Sequence, residues 1–127
     1  MPKLPRPTDG ELAILRVLWD LGPSTVRQVH KHLGTPTAYT TILKLLQIMT
    51  EKGLVRRDVS ARTHIYAAAE PAQTTQRQII KDVLDRAFAG SSTNLVLQAL
   101  ATRRASPEEL AQIRKLLDEY QHKGDKP

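Results

Sequence analysis

The sequence of 127 residues contains no cysteine. This absence excludes a disulfide framework, a thiolate metal site and a cysteine nucleophile, and nothing indicates an oxidising compartment. Aromatic residues make up only 4% of the chain, with one Phe, one Trp and three Tyr. A platform of aromatic rings, on which the bases of single-stranded nucleic acid stack, is therefore poorly supplied.

Long apolar runs and enzyme motifs are missing as well. No window approaches the roughly 18 apolar residues of a membrane span, and no apolar segment follows the short basic start, Met1 to Pro7. We therefore expect no membrane insertion and a cytoplasmic location. The chain also has no glycine-rich phosphate loop, no recognisable serine-histidine-acid set and no H-E-x-x-H motif. These absences predict a protein that is not an enzyme and has neither a cofactor nor a metal site.

Basic residues exceed acidic ones, 19 to 13, which gives a formal net charge of +6. Up to Glu70 the ratio is 10 to 6, and from Pro71 onward it is 9 to 7, so the first half is the more basic. A basic surface favours polyanionic partners because binding releases condensed counterions. Charge alone leaves two interpretations open, a nucleic-acid-binding protein and a merely soluble basic one.

The most informative stretch spans residues 37–57. Its apolar side chains recur at the i, i+3, i+4, i+7 spacing of one helix face: Ile42, Leu45, Leu46 and Met49. The opposite side offers hydroxyls, an amide and one cation: Thr37, Thr40, Lys44 and Gln47. No carboxylate occurs on this helix before Glu51, and Gly53 is a typical helix stop. A helix that buries one side and presents small hydrogen-bonding groups on the other suits the major groove of DNA.

Two shorter helices precede this one. Thr8 and Glu11 fit the capping-box pattern at the start of the first helix. Its expected core residues are Leu12, Leu15, Leu18 and Trp19. Either Ser24 or Thr25 can cap the second helix, and the third is expected to begin at Thr37. This order and spacing match a helix-turn-helix.

Residues 54–58 and 63–69 alternate as two strands do, with the polar turn Ser60-Ala61-Arg62 between them. A helix-turn-helix followed by a two-stranded hairpin is a winged helix, in which the hairpin tip often reaches the DNA backbone or the minor groove. We therefore predict a winged-helix DNA-binding domain, with three helices and a two-stranded wing, over residues 7–70.

Three further helices are expected after this domain, over residues 72–88 and 93–103 and from the Ser106 cap onward. A piece of about 50 residues has difficulty enclosing its own apolar side chains, whereas two copies packed together bury them better. We therefore predict a mainly α fold with a C-terminal helical dimerisation region over residues 71–122. The alternative is that this region folds back onto the first domain in a monomer. The expected dimer-core residues are Ile80, Leu84, Phe88, Leu95, Leu97, Leu100, Ile113, Leu116 and Leu117.

Six short segments match one known family in their order along the chain: Leu12 to Trp19, Ala38-Tyr39-Thr40-Thr41-Ile42, Glu51-Lys52-Gly53-Leu54-Val55, His64-Ile65-Tyr66, Phe88-Ala89-Gly90-Ser91 and Leu95-Val96. From about Pro7 to Tyr120 the chain resembles the penicillinase-repressor (BlaI/MecI) family. The resemblance implies a homodimeric transcriptional repressor that binds a palindromic operator of double-stranded DNA and controls β-lactamase or other genes. In that family a membrane sensor-protease pathway leads to cleavage of the repressor within its dimerisation region.

The sequence departs from the family pattern at three places. Lys44 stands where a small polar residue is frequent, and Ile48 stands where an arginine is common, which removes one phosphate contact. The place that matches the family's Asn-Phe cleavage point reads Leu97-Gln98-Ala99, with neither residue present. Both the operator sequence and the occurrence of cleavage in this region are therefore open.

The residues expected to read base edges are Thr37, Thr40, Thr41 and Lys44. Threonine offers a hydroxyl for hydrogen bonds and a methyl group for thymine, and lysine reaches the acceptors of guanine. Thr41 lies nearer the core edge than Thr40, so a phosphate contact is its alternative. The competing interpretation of this whole face is an ordinary solvated helix surface.

Contacts to the DNA backbone are expected from Tyr39, Lys52, Arg56, Arg57, Arg62 and Thr63. Tyr39 can donate its hydroxyl to a phosphate or pack on the second helix. Adjacent strand residues face opposite ways, so one of Arg56 and Arg57 is expected to be a surface charge only. The competing function is a winged helix that binds a protein or RNA without operator specificity. Salt-dependent binding to a palindromic duplex separates the two functions.

Overall fold

The computed structural model describes residues 5–124 of the chain. Within them the elements follow in the order α1 (Asp9–Leu21), α2 (Val26–Leu33), α3 (Tyr39–Lys52), β1 (Val55–Asp58), β2 (Ile65–Ala68), α4 (Ala72–Ala87), α5 (Ser92–Thr102) and α6 (Pro107–Gly124). Three helices, a two-stranded antiparallel sheet and three more helices confirm the predicted mainly α, winged-helix class. In this part of the chain no helix has the length and apolarity needed to cross a bilayer.

Capping boxes begin the first two helices. At α1, Thr8 Oγ1 accepts a hydrogen bond from the Glu11 amide at 3.3 Å, and the Thr8 amide donates to Glu11 Oε1 at 2.8 Å. Thr25 and Gln28 repeat this arrangement at α2, with distances of 3.2 and 2.8 Å. Each box satisfies backbone N–H groups that a helix start otherwise leaves without partners. The predicted box at Thr8 is confirmed, and Thr25 is the cap of the second helix.

The third helix begins at Tyr39, two residues later than the sequence predicts. Ala38 is the extended N-cap residue, with φ −68° and ψ 149°, and its carbonyl accepts a helical hydrogen bond from Ile42 at 3.2 Å. The Thr37 carbonyl lies 2.9 Å from His30 Nε2 and is therefore already engaged. Thr37 thus belongs to the turn before the helix and not to its outer face, which corrects its predicted place.

The wing is joined to the loop between α1 and α2. β1 and β2 pair so that Val55 lies opposite Ala68 and Arg57 lies opposite Tyr66. Ser24 adds a bridge to this sheet: its amide donates to the Tyr66 carbonyl at 2.9 Å, and its carbonyl accepts from the Tyr66 amide at 2.8 Å. These bonds, together with the nearly complete burial of the Tyr66 side chain, hold the wing against the helices.

One hydrophobic core joins α1, α2, α3 and the wing. Its buried members are Ile14, Leu15, Val17, Leu18, Val26, Val29, Ile42, Leu46, Met49, Leu54, Val55 and Tyr66. Each fully buried aliphatic chain contributes about 1.5–3 kcal/mol through its removal from water. Trp19 packs at the edge of this core, and its indole N–H donates to the Glu70 carbonyl at 3.0 Å. Leu45, which the sequence predicts on the buried face of the third helix, is half-buried, as Trp19 is.

The chain divides into two compact units, with the boundary between Asp82 and Val83. The sequence predicts the boundary at residues 70–71, so the first unit extends further than expected. The physical reason is that the first turns of α4 belong to this unit: Thr75 is buried, and Asp82 pairs with Arg6 at 2.8 Å. In the second unit no side chain from Val83 to Lys123 is buried in the single chain.

Candidate nucleic-acid interface

The outer face of α3 is the first part of the candidate interface. Its exposed side chains carry hydroxyls, an ammonium group, an amide and one branched apolar chain: Thr40, Thr41, Lys44, Gln47 and Ile48. The inner face is anchored by Leu46 and Met49, and steps of about 100° per residue place Lys44 nearly opposite Leu46. From Tyr39 to Thr50 the helix has no carboxylate. Over these residues the face can therefore approach a polyanion without bringing a negative charge against it, and exposed Glu51 in the last turn is the first carboxylate.

Two interactions hold the start of α3 against α2. His30 Nε2 lies 2.9 Å from the carbonyl oxygen of Thr37. Because a carbonyl oxygen only accepts, Nε2 carries the proton and donates this hydrogen bond. The Tyr39 ring meets the same imidazole edge-on, with centroids 5.9 Å apart and an interplanar angle of 80°. The Thr37 hydroxyl accepts from Thr35 Oγ1 at 3.0 Å. Of the two roles expected for Tyr39, its packing on the second helix is thus observed, although 44% of the residue remains exposed.

A cleft of about 560 Å³ lies beside this helix, between the start of α2, the start of α3 and the wing tip. Its walls are formed by Thr25, Val26, Arg27, Tyr39, Leu43, Arg62, Thr63, His64 and Tyr66. Two guanidinium groups, an imidazole and several hydroxyls line it, and no carboxylate is among the lining residues. The structure thus brings together three residues that were predicted separately, Tyr39, Arg62 and Thr63. Cations and hydroxyls are the side-chain groups with which proteins contact the phosphates of nucleic acid.

Arg27 is a basic cleft residue that is not among the DNA contacts expected from the sequence. It lies in the first turn of α2, exposed, and shares the cleft with Arg62. The N-terminal end of a helix carries a partial positive charge, which adds to the guanidinium charge there. The sequence does indicate that Arg27 is exposed, because it lies two residues after the Thr25 cap and not on the apolar side of that helix. Its proximity to the wing is visible only in the folded chain.

The two arginines of β1 lie on opposite sides of the sheet. In an antiparallel pair, residues directly opposite each other have side chains on the same face. Arg57 lies opposite Tyr66 and so shares the face that packs on the helices, whereas Arg56 lies opposite Ala67 on the other face. Both arginines are exposed. Only Arg57 therefore shares a face of the sheet with a residue that lines the cleft.

The turn of the wing is held by Asp58, whose Oδ1 accepts a hydrogen bond from the Ser60 amide at 2.9 Å. This bond lowers the pKa of the exposed Asp58 carboxyl, with a smaller contribution from the Ser60 side chain. Arg62, Thr63 and His64 follow this turn and are exposed. The turn thus presents a basic and hydroxyl-bearing hairpin end.

Lys52 does not have the free ammonium group that was predicted for a phosphate contact. Its Nζ lies 2.7 Å from Glu11 Oε1 and donates to the Arg6 carbonyl at 3.2 Å. Glu11 is only 2% exposed, so Lys52 neutralises a buried carboxylate. Burial by itself would raise the pKa of Glu11, but the hydrogen bonds from Lys52 and Thr8 and the nearby positive charge outweigh it, and the pKa is lowered. Lys52 therefore fastens the end of α3 to the start of α1.

The residues expected in a dimer core lie on α4, α5 and α6, and none is buried in the single chain. Five are half-buried: Leu84, Phe88, Leu95, Leu100 and Ile113. The other four are more exposed, namely Ile80 (49%), Leu97 (59%), Leu116 (51%) and Leu117 (62%). Leu97, Gln98 and Ala99, the candidate cleavage region, are exposed in the middle of α5.

Comparison with known proteins places these features in a family context. The family model described as "Penicillinase repressor" matches residues 7–119. The "Transcriptional regulator BlaI" of Mycobacterium tuberculosis is 32% identical over 130 aligned positions, covering 100% of this chain and 94% of that protein. The "Penicillinase repressor" of Bacillus licheniformis is 23% identical, covering 97% of this chain and 98% of that protein. These matches confirm the resemblance that the short segments indicate.

A solved structure shows a similar fold. A MarR family protein from Bacillus stearothermophilus superposes with a TM-score of 0.50 at 21% identity, covering 94% of this chain and 76% of that chain. At this level of identity the likeness concerns the fold alone. It agrees with the winged-helix arrangement of α1 to β2.

Proposed function

Because the chain belongs to the penicillinase repressor family, we propose that it is a homodimeric repressor that binds a palindromic DNA operator in the cytoplasm. This family consists of transcriptional regulators and is not a class of enzymes. One observation carries the proposal: from Tyr39 to Thr50 the outer face of α3 carries no carboxylate, and it stands beside a cleft lined by two arginines and no acid. This combination offers hydrogen-bonding groups for base edges next to cations for the backbone.

Sequence is read by the middle of the outer face of α3. Thr40 and Lys44 are exposed one turn apart on this face, and Thr41 lies at its edge. The major groove is about 12 Å wide and admits a helix, whose hydroxyl and ammonium groups then meet the acceptors and donors of the base pairs. Thr37 is not among the residues that we propose to read bases, because it precedes the helix and its hydroxyl accepts a hydrogen bond from Thr35.

The DNA backbone runs along the cleft. Arg27 on α2 and Arg62 in the wing supply charge, and Thr63 and Tyr39 supply hydroxyls. Arg57 extends this basic surface along β1, whereas Arg56 on the other face of the sheet is a surface charge. Lys52 is not among the proposed backbone contacts, because its ammonium group forms a salt bridge with Glu11.

The second compact unit joins two copies of the chain. Its helices carry exposed aliphatic and aromatic side chains, of which Leu97, Leu117 and Tyr120 are 59%, 62% and 69% exposed. A single chain leaves this surface in water, and a second copy removes it at a gain of roughly 25 cal/mol per Å². A dimer with two-fold symmetry places its two α3 helices in successive major grooves, about one helical turn of DNA apart.

Cleavage by a membrane sensor-protease pathway is the inducing event that we propose for this chain. Leu97, Gln98 and Ala99 are exposed but lie within the hydrogen-bonded turns of α5. A protease needs a locally opened backbone, so cleavage depends on the fraction of time that α5 is unfolded. A cut in this helix removes apolar surface from the dimer and thereby weakens binding to the operator.

Titration of DNA binding against salt tests the proposal. The full chain is used to enrich duplexes from a randomised pool, and the affinity for the enriched duplex is then measured over a range of KCl concentrations. We expect a palindromic sequence and a linear fall of log K with log [KCl]. Each lost phosphate contact reduces the slope by about 0.9, so Arg62→Ala in a dimer reduces it by about 1.8.

Arg16→Ala is the matched control, because Arg16 is an exposed arginine on α1 that lies outside the cleft. It is expected to leave the salt slope unchanged. Enrichment of sequences without two-fold symmetry, or equal affinity for RNA and duplex DNA, would instead favour a winged helix that lacks operator specificity.

A further inference from the structure

Ile48 interrupts an otherwise polar surface. It lies seven residues after Thr41 and four after Lys44, so these three side chains form one row along the outer face of α3. The residue is 36% exposed. It is the branched apolar member of the face on which we place the base-reading residues.

The buried core positions of this helix are filled by other residues. The inner face of α3 is supplied by Ile42, Leu46 and Met49, each no more than 2% exposed. Leu43 and Leu45 from the same helix are half-buried and pack against that core, whereas Ile48 is more exposed, at 36%. Single exposed apolar residues are common on protein surfaces, so the exposure of Ile48 alone decides nothing. Its position in the row of Thr41 and Lys44 is the informative feature.

The floor of the major groove offers only one apolar group. Each base pair presents hydrogen-bond donors and acceptors there, and thymine adds the 5-methyl group. An isoleucine side chain cannot pair with a donor or an acceptor, and covering such an atom without a partner is unfavourable. Against the thymine methyl the same side chain removes apolar surface from water, which is favourable.

We propose that Ile48 is a specificity-determining residue that contacts the 5-methyl group of a thymine in each operator half-site. This inference rests on the proposed function and names one base that the operator must contain. It also assigns a positive role to the position: Ile48 reads sequence by apolar contact, next to the polar contacts of Thr41 and Lys44.

The test replaces thymine by deoxyuridine, which keeps every hydrogen-bonding atom and lacks only the methyl group. A duplex enriched from a randomised pool by the full chain is resynthesised with one thymine per half-site changed, position by position. Burial of one methyl is worth a factor of about 4 in affinity, so changing both half-sites reduces it about 15-fold. We expect this loss at the thymine that meets Ile48.

The same series is then measured with Ile48→Ala. For this variant, deoxyuridine at that thymine is expected to leave the affinity nearly unchanged, because the contact with the methyl group no longer exists. Deoxyuridine at thymines that contact threonine methyls should still reduce the affinity. Leu21→Ala is the matched control, since Leu21 is a comparably exposed apolar residue at the end of α1 and should leave all losses unchanged. Equal melting temperatures of the three proteins show that folding is not the cause.

The outcomes separate the inference from the function on which it rests. A protein that binds an enriched palindrome but shows no thymine whose deoxyuridine penalty depends on Ile48 overturns the role of Ile48 alone. A protein that enriches no duplex overturns the proposed function and this inference with it.

Discussion

Individual side chains of the candidate interface differ in the kind of information they can convey. Thr40 and Lys44 face outward from α3 and can meet base edges, whose donor and acceptor pattern depends on sequence. Arg27 and Arg62 line the cleft and meet phosphates, which are the same at every base pair. The two sets should therefore respond differently to substitution.

Replacing Thr40 and Lys44 together by alanine is expected to reduce sequence preference more than overall affinity. Each lost base contact removes about 1–3 kcal/mol of discrimination against the wrong base. Competition between the enriched operator and a scrambled duplex of equal length measures the preference. Lys115→Ala, which removes an exposed lysine on α6, is the control for the lost charge. An unchanged operator preference in the double variant would show that the reading face lies elsewhere.

At the scale of elements, the orientation of α3 depends on contacts at both of its ends. Its start is held through His30, and its end is held through the pair of Lys52 and Glu11. Gly53 ends the helix with φ +82°, a left-handed conformation that favours glycine, and its amide bonds back to the Met49 and Thr50 carbonyls. The outer face is thus held at a defined angle to the core before any DNA is present.

Glu11→Gln should destabilise the first unit, because Lys52 loses its counter-charge while the amide still fills the space. Breaking a fully buried pair costs roughly 3–5 kcal/mol, but Lys52 is one-third exposed, so we expect about 1–3 kcal/mol. Urea unfolding measures the change. Glu51→Gln alters an exposed carboxyl next to Lys52 on α3 and should leave stability nearly unchanged. Equal stabilities of the Glu11 and Glu51 variants would contradict the assigned role of the pair.

The same pair predicts a loss of stability in acid. The pKa of Glu11 in the folded chain lies below its ordinary value of 4.5. Its carboxylate therefore stabilises the folded state fully above that pH, and the contribution disappears as the pH falls through the lowered value. The difference in unfolding free energy between the native chain and Glu11→Gln should narrow below pH 4.5. The lowered pKa of Asp58 acts equally in both proteins and cancels from this difference. A difference that stays constant down to pH 3 would exclude this origin.

For the whole molecule, the division between Asp82 and Val83 separates two kinds of surface. The first unit has a closed core of buried apolar side chains, whereas no side chain from Val83 to Lys123 is buried in the single chain. A domain that already encloses its apolar residues can fold alone, but helices that do not need a partner surface. Folding and operator affinity are therefore expected to depend on different parts of the chain.

A fragment that ends at Asp82 should be folded and monomeric. It keeps buried Thr75 and the pair of Arg6 and Asp82, which a fragment ending at Glu70 loses, and so should melt at a higher temperature than the shorter one. Loss of the linked second copy should weaken binding to the full palindrome about 10²–10⁴-fold. Calorimetry, analytical ultracentrifugation and operator titration measure the three properties. Undiminished affinity of the monomeric fragment would contradict the role given to the C-terminal helices.

Local sequence patterns are sufficient to predict several elements of this fold. The Thr8 capping box, the apolar face of Ile42, Leu46 and Met49, and the wing followed from spacing and residue type, because these elements depend on neighbours within a few positions. The start of the third helix was predicted two residues early. A polar residue such as Thr37 looks acceptable on a helix face, and only its engagement by His30 removes it from the helix.

The amino-acid sequence by itself determined the winged-helix class, the family and the polar outer face of α3. The reason is that the helical period, the caps and the short segments that match the family each depend only on residues close together in the chain. Only the tertiary structure decided that Lys52 holds Glu11, that Arg27 and Arg62 share one cleft, and that the first unit continues to Asp82. Lys52 and Glu11 are 41 positions apart, and the pairing of two charges over such a distance leaves no period or motif in the sequence. Such contacts are set by how the helices pack, which is a property of the folded chain.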